Sequence, residues 1–480
     1  MIREEELDAL LRGAPWMPQD GRAADRYERV DHAVLGSAAL LLIVAAVGGP
    51  ASGRRFFVPV RADDEGRPQE AHGSDAFDVA TVTRTLSGGR LHTARGGTIE
   101  FRGPGGPAAE VRRLPFQQGW SSNALSLVDV AGTPCIHKTY RRLDEPVHEP
   151  ELLRRMNGTG RTPQWIGDYA YVHPSDGVRR PLGVIYRYAP GDGIDVPLRE
   201  NLRSLWPRLG QRDDADETLV REHLRPMEEQ LSRAGEFLYA FHRDLAGRLP
   251  GAAVYPVGAA LERAARRVDV LEDEDGMTLP PHARTAAFAA LRAELFLLEG
   301  EFEGRGPLPG AAPCHGDLHL SHLLCERDGT DWRMSVIDLS TPALSPADPG
   351  GAEQSPLQDL VAVQRALEYF AADEAAFESA RRLGVDSLET MLGALDGAPH
   401  LSASRQAVLR RVFAVADAWR ERVLRLLLGT AAASPLSRLL YVRRLLHELA
   451  YNQAHARPYH AAIDLRHARA LAPTAAFARK

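Results

Sequence analysis

Cys314-His315-Gly316-Asp317-Leu318-His319-Leu320-Ser321-His322 is followed by Val336-Ile337-Asp338-Leu339, so that a second aspartate falls 21 residues after Asp317. Phosphoryl transfer needs a carboxylate to orient an acceptor hydroxyl, ligands for Mg²⁺ at the β- and γ-phosphates, and a cation on the phosphates. Asp317, on a loop within a mostly helical half of the chain, supplies the first. Asp338, at the end of an apolar strand, supplies the principal Mg²⁺ carboxylate. Read singly, a strand-end aspartate is an ordinary turn or cap, and His-Gly-Asp is a weak signal. Read together, and downstream of an isolated lysine, the pattern points to phosphoryl-transfer chemistry.

That lysine stands out by composition. Of 58 basic Lys and Arg residues only two are lysines, Lys138 and Lys480; the other 56 are arginines. Lys138 is either a chance survivor of a genomic bias or a position that needs a compact ammonium in place of a guanidinium fork. The 480 residues are enough for two to four domains, and 44% hydrophobic with 25% charged residues excludes wholesale disorder. A net charge of −6 leaves no global basic field for nucleic acid or an anionic membrane. Three cysteines, Cys135, Cys314 and Cys325, have neither metal-site spacing nor an even count, and fit a reducing cytoplasm. The apolar run Ala33–Val47 has 15 residues, short of the ~20 that span a bilayer. Its reading is a buried hairpin: a strand at Leu40–Val47, a Gly48-Gly49-Pro50 turn region, and a strand at Phe56–Val60.

Outward from these points, residues 1–108 read as a small α+β unit with an amphipathic start, the hairpin and a short helix at Asp75–Leu86. The glycine-rich stretch Gly97–Gly106 closes it and begins a linker. Residues 109–190 carry strands at Ala124–Val130, Pro134–Tyr140 and Leu182–Tyr188, with a helix at Glu149–Asn157. Residues 191–480 are dominated by helical periodicity, at Met227–Leu245, Leu261–Leu271, Pro281–Phe302, Leu357–Phe370, Arg405–Leu428 and Leu436–Ala456. Strands interrupt it at His319–Cys325 and Trp332–Leu339. A β-rich lobe before a helical lobe gives the expected class: α+β, with the layout of a protein-kinase-like bilobal fold preceded by an N-terminal α+β unit, which the resemblance described next implies is a cap domain.

The loop around Asp317 resembles the catalytic loop of the aminoglycoside phosphotransferase-like, protein-kinase-like superfamily, in which an Asn or Gln metal ligand lies five residues after the aspartate. More narrowly, the chain is similar to the actinobacterial maltokinases and glucosamine kinases over most of its length. Arg55-Phe56-Phe57-Val58-Pro59-Val60 resembles their cap hairpin, and Leu238–Ala246 their long helical-lobe helix. Ser355-Pro356-Leu357-Gln358-Asp359-Leu360 with Arg365 and Tyr369 resembles the helix after the metal site. Glu448-Leu449-Ala450-Tyr451-Asn452 with Arg457-Pro458 resembles the terminal helix lining the sugar pocket.

The resemblance implies ATP and Mg²⁺ as cofactors and a small sugar as partner, with no nucleic acid or membrane, and is silent on oligomeric state. It implies Asp317 as catalytic carboxylate, and His322 with Asp338 as metal ligands. Lys138 would bind the α- and β-phosphates and pair with a helix carboxylate, Glu151 first and Glu149 second. Ser121, Ser122 and Asn123, with Gly119 nearby, would lie over the phosphates. Tyr186 to Pro190, including Tyr188, would be the hinge whose backbone meets adenine. His319, Glu448 and Asn452 would face the sugar, Glu448 as an acidic partner for an amino group. Two departures stand out: His322 replaces the usual amide ligand, and Leu339-Ser340-Thr341-Pro342 replaces Phe-Glu-Gly. An aminoglycoside phosphotransferase and a nucleotide-binding pseudokinase are the alternatives. His315, His319 and His322 also invite a zinc reading, against which Gly316 breaks any helical histidine face.

Overall fold

The apolar run that opens the chain's β structure is long because its strand is covered on both faces. In the computed structural model, β1 (Arg26–Leu35), β2 (Ala39–Val47), β3 (Arg55–Ala62) and β4 (Pro68–Glu70) form an antiparallel sheet in that order, behind the short helices α1 (Glu4–Gly13) and α2 (Gln19–Arg22). Pairing of Leu42 with Val58 and of Val44 with Phe56 sends these four side chains into a cluster with Leu7, Leu11 and Tyr27. The alternate residues Leu41, Ile43 and Phe57 pack on the other face with Phe77, Tyr169 and Tyr171. A strand buried on both sides loses the polar alternation of a surface strand. The structure describes residues 2–471 except 107–108, 119–120, 210–215, 253, 274–278, 304, 306–307, 309–311, 330, 346, 349, 397–400 and 430–433. Gly119 lies outside the described residues.

The chain divides into two units, Met1–Ala189 and Pro190–Lys480. The first continues with α3 (Asp75–Ser87), β5 (Gly89–His92), β6 (Thr98–Arg102), β7 (Val111–Leu114), β8 (Ala124–Val130), β9 (Thr133–Thr139), α4 (Glu149–Met156), β10 (Trp165–Val172) and β11 (Arg179–Arg187). These strands make one antiparallel sheet in the order β5-β6-β10-β11-β9-β8-β7. The boundary expected at residue 108 is therefore corrected: β5 and β6 belong to the same sheet as β7–β11, and the core around Phe57 and Tyr169 draws on both sides of it. Gly97–Gly106 is no linker. Gly103 is a packing glycine, where a Cβ would sit 2.2 Å from the Thr85 carbonyl oxygen. The hairpin strand also hydrogen-bonds the segment after β9, with Phe57 N donating to Arg141 O at 2.9 Å and Leu143 N to Arg55 O at 2.9 Å.

The second unit holds β12 (Asp192–Gly193), α5 (Asp195–Leu205), α6 (Asp216–Leu224), α7 (Glu228–Ala246), α8 (Val257–Asp273) and α9 (Pro281–Phe302). After the Asp317 loop come β13 (Leu323–Asp328) and β14 (Asp331–Val336), which with β12 form a small antiparallel sheet. The helices α10 (Pro356–Leu383), α11 (Ser387–Asp396), α12 (Ala403–Leu428), α13 (Pro435–Ala454) and α14 (Pro458–Arg469) complete it. Ser355 starts α10 as a capping box with Gln358, and Gly384 stops it in the left-handed region at φ +67°. The expected end at Phe370 falls short because the helix is buried nearly all round beyond it, at Ala371, Ala372, Ala375 and Ala376, which erases the amphipathic period. The strand expected from His319 begins only at Leu323, because Leu320–His322 turns as a 3₁₀ helix. Among the described residues no helix is long and apolar enough to cross a membrane.

Candidate active site

Asp317 is held by a loop that hangs from one carboxylate. Asp359, in the first turn of α10 and 1% exposed, accepts the backbone N–H of His315 at 2.6 Å and of Gly316 at 2.9 Å. The His242 Nε2–H of α7 donates to the same carboxylate at 2.7 Å. Burial alone would raise the Asp359 carboxyl, but the His242 contact and the loop N–H hold it below its ordinary value. Gly316 sits at φ +95°, and a Cβ there would meet the Ser340 carbonyl oxygen at 2.5 Å, so only glycine passes this point. His315 completes the clamp. Its Nε2–H donates to Ile337 O at 2.8 Å, and its Nδ1 accepts from Asp317 N at 3.2 Å. Both ring nitrogens are thereby used, which removes His315 from the zinc reading.

The loop leaves the Asp317 side chain half exposed and within 3.8 Å of the Arg444 guanidinium. His322 Nδ1–H donates to the Asp317 carbonyl at 3.0 Å, so in the neutral ring Nε2 carries the lone pair. That nitrogen faces Asp338 Oδ2 at 3.4 Å. Burial lowers the His322 pKa, with Asp338 acting in the opposite sense, and burial likewise lowers His319, whose ring lies 3.5 Å from that of His322. A neutral imidazole nitrogen opposite a carboxylate oxygen is a pair of electron donors without a proton between them, and such a pair fits a divalent cation. Asp338 itself sits at φ +59°, a left-handed conformation that costs a non-glycine residue about 1 kcal/mol and that tends to occur at working sites.

A cavity of about 520 Å³ is lined by Asp317, His319, Glu448 and Asn452, so four of the residues expected at the catalytic loop and sugar pocket share one space. Two of them are committed elsewhere. Glu448 gives one oxygen to Arg365 Nε and the other to Arg444 Nε, each at 2.7 Å. Asn452 donates its amide to Asp464 at 2.9 Å and to the Tyr369 hydroxyl at 3.1 Å. The carboxylate on this wall without an arginine partner among the described residues is Asp373 of α10, which the sequence reading missed. Its carboxyl lies beside the Tyr459 hydroxyl, and burial raises its pKa while that hydroxyl acts in the opposite sense. Arg444 was missed as well. No motif marks either residue, and only the packing of α10 against α13 reveals them.

In the first unit Lys138 is 4% exposed, and its Nζ lies 2.7 Å from Glu149 Oε2. The Tyr140 hydroxyl donates to the same oxygen at 2.6 Å. The expected partner Glu151 is thus corrected to Glu149. Two residues along α4 turn the side chain away from the buried face of Glu149, Leu152, Leu153 and Met156, and Glu151 instead pairs with Arg154 and Arg155, each at 2.7 Å. Ser121, Ser122 and Asn123 form the bend before β8, where Ser121 Oγ accepts Asn123 N at 3.1 Å and Ser122 O accepts from Arg141 at 3.3 Å. Tyr186 is buried in β11. The N–H of half-exposed Tyr188 is taken by Pro134 O at 2.9 Å.

No family model matches the chain, and no curated protein matches it. Solved structures do. A glucosamine kinase in complex with glucosamine, ADP and inorganic phosphate aligns over 95% of this chain and 97% of its own, at 18% identity and a TM-score of 0.54. A second crystal form of glucosamine kinase aligns over 97% and 99%, again at 18% identity, with a TM-score of 0.57. The fold is protein-kinase-like. At this identity the likeness establishes the fold alone, and the maltokinase side of the resemblance rests on the sequence motifs.

Proposed function

We propose that the protein is an ATP- and Mg²⁺-dependent sugar kinase, which transfers the γ-phosphoryl group to a hydroxyl of a small sugar bound in the cavity beside Asp317. The observation that carries the reading is the pairing of a clamped, half-exposed carboxylate with that cavity. A carboxylate held rigidly by Asp359 and His242 orients a hydroxyl without paying to reorganise. The cavity volume lies within the range of small-molecule sites. In the reaction the acceptor oxygen forms its bond to γ-phosphorus, the bond from phosphorus to the bridging ADP oxygen breaks, and the hydroxyl proton passes to Asp317. Lys138, aligned by Glu149 and Tyr140, is the cation for the α- and β-phosphates. Asp338 and His322 are the residues that would hold Mg²⁺, which when bound neutralises charge on the transferring phosphates. A cytoplasmic location belongs to the same reading and agrees with three free, buried cysteines.

The matched glucosamine kinase binds glucosamine and ADP, and an amino sugar suits this cavity for a reason of its own. Asp373, beside the Tyr459 hydroxyl, has no ion-pair partner among the described residues and is a carboxyl that a sugar ammonium would pair with, whereas Glu448 is already neutralised from two sides. MgATP turnover measured against glucosamine, glucose, maltose and an aminoglycoside panel tests the reading. The expected outcome is the highest kcat/KM for glucosamine, with that preference over glucose lost in Asp373→Asn. Absence of turnover with every acceptor, together with intact nucleotide binding, would favour the pseudokinase.

A further inference from the structure

A second cavity, of about 420 Å³, lies between α8 and α13. We propose that it is a binding site for a phosphate-type oxyanion, either free or carried on a sugar. Arg263, Arg266 and Arg267 come from one side of α8 and Arg443 from α13, joined by His447, and no carboxylate lines the space. Arginines three and four residues apart on one helix repel each other, so their convergence disfavours the helix unless negative charge is supplied. Part of that charge is internal. Glu353 takes Arg263 on one oxygen and Arg443 on the other, at 2.9 Å for the latter, so one carboxylate serves two guanidinia. Among the described residues Arg266 reaches only Glu262, at 3.5 Å, in a pair whose side chains are 67% and 71% exposed and which therefore contributes little. Arg267 has no carboxylate within ion-pair distance among the described residues. The cavity thus retains a positive excess that pairing among the described residues does not remove.

The geometry suits a tetrahedral oxyanion. Arg443 is committed to Glu353 and to the Tyr255 hydroxyl, each at 2.9 Å, so the forks left to a ligand are those of Arg266 and Arg267 on α8, and a planar fork donates in pairs to adjacent oxygens, which a lone ammonium cannot do. His447 also lines the Asp317 cavity, so a ligand in one space has a neighbour in the other. Burial, Arg444 and Arg267 hold the His447 ring below its ordinary pKa, and an anion here would relieve that effect. No residue assigned to nucleotide handling lines this cavity, and its occupancy does not depend on the kinase reading.

The test is isothermal titration of the full chain with inorganic phosphate in the presence of saturating Mg·AMP-PNP, for the wild type and for R266E/R267E. Both substitutions fall on the exposed face of α8, and an unchanged Tm verifies the fold. One phosphate bound by the wild type, with affinity reduced about tenfold or more in the double variant, is the expected result. No binding by the wild type, or equal binding by the variant, overturns the proposal. The comparison between the two proteins isolates this site even if AMP-PNP fails to bind, so failure of the kinase reading is distinguishable. Titration with glucosamine 6-phosphate assigns the source: affinity about tenfold above that of inorganic phosphate identifies a sugar-borne group, and equal affinity identifies the free ion.

Discussion

Asp317 and Lys138 are held for their proposed roles by contacts that differ in kind. Asp317 owes its position to backbone bonds of the loop, so replacing its side chain leaves the clamp from Asp359 intact. Asp317→Asn is therefore expected to fold with an unchanged Tm, to lose about 10²–10⁴ in kcat, and to keep its nucleotide affinity. Near wild-type turnover with any accepted sugar would remove Asp317 from the chemistry. Lys138 is different, because its ammonium is buried against Glu149, whose carboxylate also accepts from the Tyr140 hydroxyl. A guanidinium is larger and planar and does not fit that point-charge position, so Lys138→Arg is expected to lose most activity despite the arginine-rich background. The same contact separates two neighbouring glutamates. Glu149→Gln should raise KM for ATP and lower kcat, while Glu151→Gln, which breaks only partly exposed pairs with Arg154 and Arg155, should leave both within about twofold. Equal effects of the two substitutions would show that the ion pair does not organise the nucleotide site.

Elements place these residues, and the decisive joint is between α7, α10 and the loop before β13. Asp359 joins all three by accepting from three donors, two of them loop N–H groups. Asp359→Asn keeps the shape but offers one acceptor oxygen where two are used, and it places an amide N–H against donors. A buried donor left unsatisfied costs about 1–3 kcal/mol, so a lower Tm is expected. A drop of about 10–100-fold in kcat with KM for ATP nearly unchanged is expected as well, since in the proposed reaction the loop carries the acceptor side. A loss of stability with full kcat would make Asp359 a fold residue only. The loop was legible in the sequence because glycine at Gly316, the Asp317 carboxylate and the Asp338 strand end each leave a mark in residue type and spacing. Glu149 was placed second to Glu151 because helical phase at a first turn beside Pro150 is ambiguous without the sheet that buries it. The helices α5, α6, α11 and α14 were not singled out from the sequence: with 11, 9, 10 and 12 residues each offers about three turns or fewer in which to show a period, and the 108 boundary failed because glycines chosen for close packing read like those of a linker. Asp373 and Arg444 were illegible for a further reason: a cavity wall is made by two helices, and neither helix alone reveals which polar residue faces the other.

At the scale of the whole helical unit, charge is concentrated where α10, α13 and α14 meet. Arg365, 1% exposed, is surrounded by Glu368, Glu448 and Asp464, with Tyr369, Tyr441 and His467 beside them. One guanidinium faces three carboxylates, so the cluster retains a proton that isolated carboxylates would release. Burial is the largest influence on Asp464 and Glu448 adds to it; against the pull of Arg365, Tyr369 and Asn452 its carboxyl is pushed up from 3.8 to about 7. The titration belongs to the cluster as a unit, with Asp464 as the group that changes most. The sign follows from linkage. Because the folded pKa is above the unfolded one, the folded protein binds more protons between pH 3.8 and about 7. Stability from this group is therefore fully present below the unfolded pKa, declines as pH rises through that window, and is gone above the folded pKa. His467 titrates in the opposite sense, since burial holds it well below its ordinary value, but it is common to both proteins in a comparison with Asp464→Asn. Asparagine keeps the shape and an oxygen for Arg365 while removing the titration. The wild type is expected to exceed Asp464→Asn in Tm near pH 5, and that advantage should shrink or reverse by pH 8. Thermal melts of both proteins at half-unit steps across this range decide the matter, and a Tm difference that stays constant with pH would show that Asp464 is ionised throughout.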